Sequence, residues 1–366
     1  MSLLFSPLRV GALELPSRVV MAPMTRARAG RDGIPTPMMA RHYAQRATAG
    51  LIVAEATQIE ADGQGYLRTP GIHSPAQISG WRQVTSAVHD AGGRIVLQLW
   101  HVGRISHPDN RAPGTRSVGP SQIAARVRMF TATGLHPAPV PHELAEDEIR
   151  SIVRQYARAA GNAIDAGFDG VEIHAGNGYL IDQFLHRSSN HRADSYGGSA
   201  PNRSRLLWDV CEAVCLAVGS DRTGVRLSPF GVFNDVDDPD AAGLFDVAIR
   251  GLGRCKPAYL HVINVEVSGD RSVSAANVDV ALFARERFDG ALMVAGGYSA
   301  DSAERALREG TADLIGFGRA YIANPDLALR LREGAALAPA DRATFYTEGE
   351  RGYTDYPAAA SLQTAR

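Results

Sequence analysis

Eight short runs of apolar and β-branched residues, separated by segments with helix punctuation, constrain this chain more than any single motif. The runs are Arg18–Thr25, Leu51–Thr57, Arg94–His101, Gly170–His174, Gly224–Ser228, Tyr259–Ile263, Leu292–Ala295 and Leu314–Phe317. Between them, Thr36-Pro37 supplies a cap and a first-turn proline, and Asn324-Pro325 opens a late helix. Glu146–Ala166, Asn202–Val218 and Ser299–Glu309 each run into a glycine, the residue that best tolerates the left-handed exit of a helix. Strand and helix alternating eight times predict an α/β chain closed into a (β/α)8 TIM barrel, a single domain over residues 1–366. An open doubly wound sheet is the alternative, but no G-x-G-x-x-G follows the first strand.

Two connections exceed the usual length: Val102–Ala145 after the third strand and Gly178–Pro201 after the fourth. Both leave the carboxyl ends of strands, where barrel enzymes build their sites, so they are expected to cap one. Phe5–Leu15 reads as a hairpin plugging the opposite end.

Charge excludes some functions. A formal net charge of −1, with no basic run interleaved with aromatics, offers no field for nucleic acid. No apolar run approaches the roughly 18 residues of a membrane span, and the first residues lack the pattern of a signal peptide. Cys211, Cys215 and Cys255 read as buried thiols of a reducing compartment, so a cytoplasmic location is expected. Lys256 is the only lysine and precedes the sixth strand, on the face opposite the site. A Schiff-base aldolase is therefore disfavoured.

The chemistry-bearing residues cluster at strand ends. His174 closes the fourth strand, and Asn177 and Tyr179 follow on a turn containing Gly176 and Gly178. Two hydrogen-bond donors and a phenol in one small volume suit gripping a carbonyl oxygen and protonating a neighbouring carbon. Period-two alternation turns Arg226 into the barrel, where a buried guanidinium needs either Glu172 or an anionic or electron-rich ligand edge; parity leaves both open. Gln98 and Trp100 share the inner face of the third strand, and an inward amide offers the donor and acceptor that a heterocycle edge requires. Gly296-Gly297 after the seventh strand and Gly318-Arg319 after the eighth suit backbone N–H contact with a phosphate. The histidine pairs His101/His107 and His186/His191 lack a carboxylate at metal-ligand spacing and read as solvated loop residues, and Asp235–Asp240 reads as a solvated loop and helix cap.

The chain resembles the old yellow enzyme family, in the bacterial ene-reductase branch that includes N-ethylmaleimide, pentaerythritol tetranitrate and morphinone reductases. The likeness runs through Leu4-Phe5-Ser6-Pro7-Leu8, Met21-Ala22-Pro23-Met24-Thr25-Arg26, Ala54-Glu55-Ala56-Thr57-Gln58 and Leu97-Gln98-Leu99-Trp100-His101-Val102-Gly103-Arg104. It continues in Asp182-Gln183-Phe184-Leu185, Ser195-Tyr196-Gly197-Gly198 and Gly352-Tyr353-Thr354-Asp355-Tyr356-Pro357. The resemblance implies noncovalent FMN, with NADPH or NADH as reductant and enones or nitro compounds as small-molecule substrates. It implies Pro23, Thr25, Ala56, Gln98 and Arg226 around the flavin ring, and Gly296, Gly297, Gly318 and Arg319 at its phosphate. His174 and Asn177 would hold the substrate oxygen, Tyr179 would donate the proton, and Tyr66, Trp100 and Tyr353 would shape the pocket. Asn177 stands where close bacterial relatives often have histidine. A monomer or homodimer is expected, with no nucleic-acid or membrane partner.

Overall fold

The computed structural model describes residues 2–264 and 278–358. Eight strands carry the barrel: β1 (Val19–Met21), β2 (Leu51–Gln58), β3 (Ile95–Trp100), β4 (Gly170–His174), β5 (Thr223–Leu227), β6 (Tyr259–Ile263), β7 (Ala291–Ala295) and β8 (Leu314–Phe317). Each pairs in parallel with its chain neighbours, and β8 closes on β1. The eightfold expectation is met, with the first strand much shorter than its apolar run. Pro23 has no N–H for the ladder, so β1 ends at Met21 and the run to Thr25 becomes a loop over the barrel mouth.

Strand parity divides the barrel. Val171, Ile173, Val225, Leu227, Leu260 and Val262 face outward onto helical residues such as Ile149, Leu206, Val210 and Leu244. Gln98, Glu172, Arg226 and His261 therefore lie inside, all buried. The amino end of the interior is apolar. There Val10, Leu13 and Leu15 pack with Val20, Val53, Val96, Met293 and Leu314. The first three belong to an antiparallel hairpin, Leu8–Val10 with Leu13–Leu15, which plugs that end. Its turn needs Gly11 at φ +56°, because a Cβ there would stand 2.1 Å from the Asp221 carbonyl oxygen.

Most helices match their sequence signals. Glu146–Asp165 and Ala300–Arg308 end at the expected places, whereas the helix expected from Asn202 divides into Ala200–Arg203 and Arg205–Val218. The late helix starts at Leu327, because the Asn324 side chain bonds the carbonyls of Ala320 and Ala338 instead of entering it.

The two long connections cover the carboxyl end. The one after β3 contains a hairpin, Arg128–Thr131 with Gly134–Pro137, and the one after β4 contains a helix, Leu180–Leu185. Val102, Ile105, Ala125, Met129 and Ala138 of the first pack on Trp100 and Tyr179. Arg126 latches it to the connection after β5, bonding Asp235 through its backbone N–H at 2.9 Å and its Nε at 2.7 Å.

Candidate active site

His174 ends β4 pointing into the barrel mouth, and its Nδ1 accepts from the Gly176 N–H at 3.4 Å. That bond assigns the ring proton to Nε2, which faces the site as a donor. Burial, reinforced by the Arg226 and His261 charges, holds His174 far below the usual imidazole range, so the donor is neutral. The turn that follows is held open by backbone demands. Asn177 sits at φ +58° and Gly178 at φ +71°. The Asn177 N–H donates to Ser228 Oγ at 2.7 Å, its carbonyl accepts from Asn234 Nδ2 at 2.8 Å, and the Gly178 N–H donates to Asp182 Oδ2 at 2.8 Å. The Asn177 side chain is left half-exposed at the mouth.

Tyr179 completes an aromatic cluster. Its ring centroid lies 5.2 Å from His174 and 4.9 Å from Trp100, and Tyr66 stacks on Trp100 at 5.7 Å. The Tyr179 and Tyr66 hydroxyls are 3.2 Å apart. Burial pushes the Tyr179 phenol up to about 12, against hydrogen bonds from Tyr66 and Asn234 that pull it down. The group is thus a protonated phenol beside a neutral imidazole donor, which can stabilise an oxygen developing negative charge and deliver a proton next to it.

Beneath this pair lies a polar floor. Arg226 is opposite His174 in the β4–β5 register, and its buried Nε has no hydrogen-bond partner among the described residues. Glu172, one of its two possible partners, instead accepts from Gln98 Nε2, Tyr259 and His261 at 2.8, 3.2 and 2.9 Å. Pro23 and Ala56 are buried at the same end, with Thr25 half-buried. The β1 loop is anchored there by Glu55, which accepts from the Arg26 N–H at 3.2 Å and the Tyr43 hydroxyl at 3.1 Å. Across the mouth, the paired strands β7 and β8 end in Gly296 (φ +122°) and Gly297 (φ +74°), and in Gly318. Gly318 caps the short helix Arg319–Ala323, and a Cβ on it would come 3.7 Å from Met24 Sδ. Arg319 is exposed beside it.

Tyr353 does not join the cluster. It is fully buried, stacked on His42 at 3.8 Å, with the Arg26 and Arg28 guanidiniums 5.3 and 4.9 Å from its ring. Those arginines bond the carbonyls of Thr344, Phe345, Arg351 and Gly352, clamping the carboxyl-terminal segment with Tyr353 turned inward. The same segment presents Tyr346, 64% exposed and close enough to act electrostatically on Tyr66 and Tyr179. Tyr346 and Asn234, which touches both cluster phenols, escape the sequence reading. Asn234 carried a faint signal: consecutive Asn and Asp at φ +64° and +62° are residues suited to left-handed backbone.

The other polar motifs are structural. His101 and His186 are buried, not solvated, and face Asp62 at 3.4 Å and Asp182 at 3.2 Å. Asp238 of the acidic run is also buried, 3.0 Å from Arg203. Cys211 is buried, but Cys215 and Cys255 are only half-buried. Among the described residues, no group of His, Cys, Asp and Glu has the arrangement of a metal site, and no helix is long and apolar enough to cross a membrane.

A family model described as NADH:flavin oxidoreductase / NADH oxidase matches residues 3–338. A probable flavin mononucleotide-dependent alkene reductase of Leishmania infantum is 45% identical, over 97% of each chain. Among solved structures, an old yellow enzyme homologue of Zymomonas mobilis is 44% identical at a TM-score of 0.93, covering 97% of this chain and 99% of its own. Morphinone reductase in complex with tetrahydroNAD is 43% identical at a TM-score of 0.91, covering 97% of both chains.

Proposed function

The chain belongs to the NADH:flavin oxidoreductase / NADH oxidase family, and from that premise we propose that it is an FMN-dependent reductase of activated C=C bonds in α,β-unsaturated carbonyl or nitro compounds, with NADPH or NADH as reductant. The observation that carries this reading is the pairing of a neutral His174 donor with the protonated Tyr179 phenol above an Arg226 whose buried Nε has no hydrogen-bond partner among the described residues.

The residues fit a flavin mononucleotide. A buried guanidinium Nε without an acceptor among the described residues calls for an electron-rich edge, and Arg226 would supply that contact while Gln98 meets the neighbouring ring atoms. Pro23, Thr25 and Ala56 would line the ring. Gly296, Gly297, Gly318 and Arg319 would hold the phosphate, where positive-φ glycines let backbone N–H groups turn toward an anion. When bound, the flavin supplies hydride chemistry between a pyridine nucleotide and the β-carbon of the substrate.

The chain's own residues do the rest. His174 Nε2–H and the Asn177 amide donate to the carbonyl or nitro oxygen, drawing electron density from the alkene. Tyr179 passes its proton to the α-carbon, and Tyr66 orients the phenol through the hydroxyl contact of 3.2 Å. Trp100 and the hairpin after β3 keep water away from the reacting carbons. Tyr66, Trp100 and Tyr346 shape the substrate pocket in this reading.

The test is the absorbance of the purified protein, followed anaerobically on addition of NADPH or NADH and then 2-cyclohexenone. A flavin band bleached by the nucleotide and restored by the enone is expected. Bleaching without recovery would refute the substrate class, and a colourless protein that FMN cannot reconstitute would refute the whole reading.

A further inference from the structure

Inside the barrel, Glu172 is fully buried and stands between Gln98 of β3 and Gly224 of β5 in the strand register. Its Oε1 accepts from Gln98 Nε2 at 2.8 Å, and its Oε2 from Tyr259 at 3.2 Å and His261 Nδ1 at 2.9 Å. Three donors converge on one group, and only an ionised carboxylate is acceptor-only. The arrangement has a steric precondition. A Cβ on Gly224 would stand 2.2 Å from Tyr259 Cζ, so the glycine is what admits the Tyr259 ring to the barrel interior. Burial works against the charge of Glu172, but the charge and bond of His261, the Arg226 guanidinium and Gln98 together hold its carboxyl below the usual range.

Two consequences follow for the floor of the site. An amide whose nitrogen is fixed on a carboxylate cannot flip without setting its oxygen against that carboxylate, so Gln98 must turn Oε1 toward a ligand. The carboxylate, already engaged by three donors, also makes no hydrogen bond with Arg226, whose Nε has no partner among the described residues. The floor therefore offers an acceptor at Gln98 and a cationic donor at Arg226.

We propose that Glu172 is a positioning residue for cofactor recognition, locking Gln98 as an acceptor and leaving Arg226 as a donor, so that the site selects a heterocycle edge with an N–H beside an electron-rich carbonyl or ring nitrogen. This rests on the FMN reading, since a flavin's pyrimidine edge has that pattern. Bonded by Gln98, Tyr259 and His261, Glu172 acts through its neighbours. Its charge also compensates Arg226, which limits how strongly the guanidinium favours negative charge on a bound ring.

The experiment measures FMN dissociation by fluorescence titration and the midpoint potential of bound FMN, in the wild type, Glu172→Gln, Gln98→Ala and the double variant. Glu172→Gln should weaken FMN about tenfold, the scale of one lost charge-assisted hydrogen bond. It should also shift the potential positive, because Arg226 loses its compensating charge. The double variant should bind no more weakly than the weaker single variant, since both changes remove one device. A wild type that binds FMN, with affinity and potential unchanged in Glu172→Gln or with fully additive losses, would overturn the inference and leave the functional reading intact. A wild type without FMN affinity would overturn both. If Glu172→Gln does not fold, Tyr259→Phe removes one donor without altering charge. A roughly threefold weaker FMN affinity is then expected, and unchanged affinity would overturn the proposal.

Discussion

Replacing Tyr179 with phenylalanine should separate the two halves of turnover. The ring keeps its edge contacts with Trp100 at 4.9 Å and His174 at 5.2 Å, so packing is conserved. The hydroxyl loses its contact with Tyr66 at 3.2 Å and its bond with Asn234, while the Tyr66 hydroxyl keeps the Asn234 side chain. Each neutral hydrogen bond of this kind is worth about 1 kcal/mol, so the loss of stability is bounded at about 2 kcal/mol. Loss of a general acid is far larger, about 10²- to 10⁴-fold, or roughly 2.7–5.5 kcal/mol of barrier. The catalytic effect must therefore exceed the structural one, by about 0.7 kcal/mol at the least.

The assay is anaerobic stopped-flow absorbance. Reduction by the nucleotide needs no proton from Tyr179 and should change less than about threefold, while reoxidation by an enone should slow by the full 10²-fold or more. The pH profile gives a second, independent reading. Burial disfavours the phenolate and pushes the Tyr179 pKa up to about 12, so the active protonated form persists where an ordinary tyrosine would ionise. At pH 10 about 1% of such a phenol is ionised, against about half of an unperturbed one. Wild-type reoxidation should accordingly stay flat through pH 10. A loss below about fivefold in Tyr179→Phe, or an equal loss in both half-reactions, would refute the proton-donor argument.

Two further outcomes probe the frame around the site. Gly178→Ala places a Cβ 2.2 Å from the Phe233 carbonyl oxygen at φ +71°, a backbone clash that no rotamer relieves. It should displace Asn177 and Tyr179 and cut enone reduction at least about tenfold, because sub-ångström misplacement is costly in catalysis. Flavin content, read from the visible-to-ultraviolet absorbance ratio, should be retained; normal turnover would show that the turn is not under this constraint. Acid should destabilise the fold through its buried imidazoles. Burial, with nearby arginine charges, holds His42 and His174 well below the ordinary value. Groups depressed in the folded state take up protons preferentially on unfolding, so their contribution is complete above about pH 6.5 and declines as pH falls. Each should cost on the order of 1 kcal/mol between pH 7 and 5.5, and His42→Asn should flatten urea-derived stability over that interval by about that amount. An unaltered slope would contradict the buried-neutral assignment.

The site was legible where it depends on strand parity and illegible where it depends on distant partners. Period-two alternation sends Arg226, Gln98 and Glu172 inward regardless of what surrounds them, and β3, β4 and β5 obey it. Parity could not say which group Arg226 meets, because the competing donors to Glu172, Tyr259 and His261, come from β6, and the opening that admits them is a missing side chain at Gly224. Tyr353 failed for a related reason. Its motif fixes the place of the segment, but the inward turn of that ring is dictated by Arg26 and Arg28, more than 300 positions away in the chain. Burial of His186 was more accessible, since Asp182 precedes it by one helical turn and offers an acid partner within the sequence window. Local patterns thus place a residue at the mouth of the barrel, while the chemistry available to it is decided by which neighbours have already taken up its partners. Arg226 illustrates the point: its role follows less from its own position than from the three hydrogen bonds that occupy Glu172.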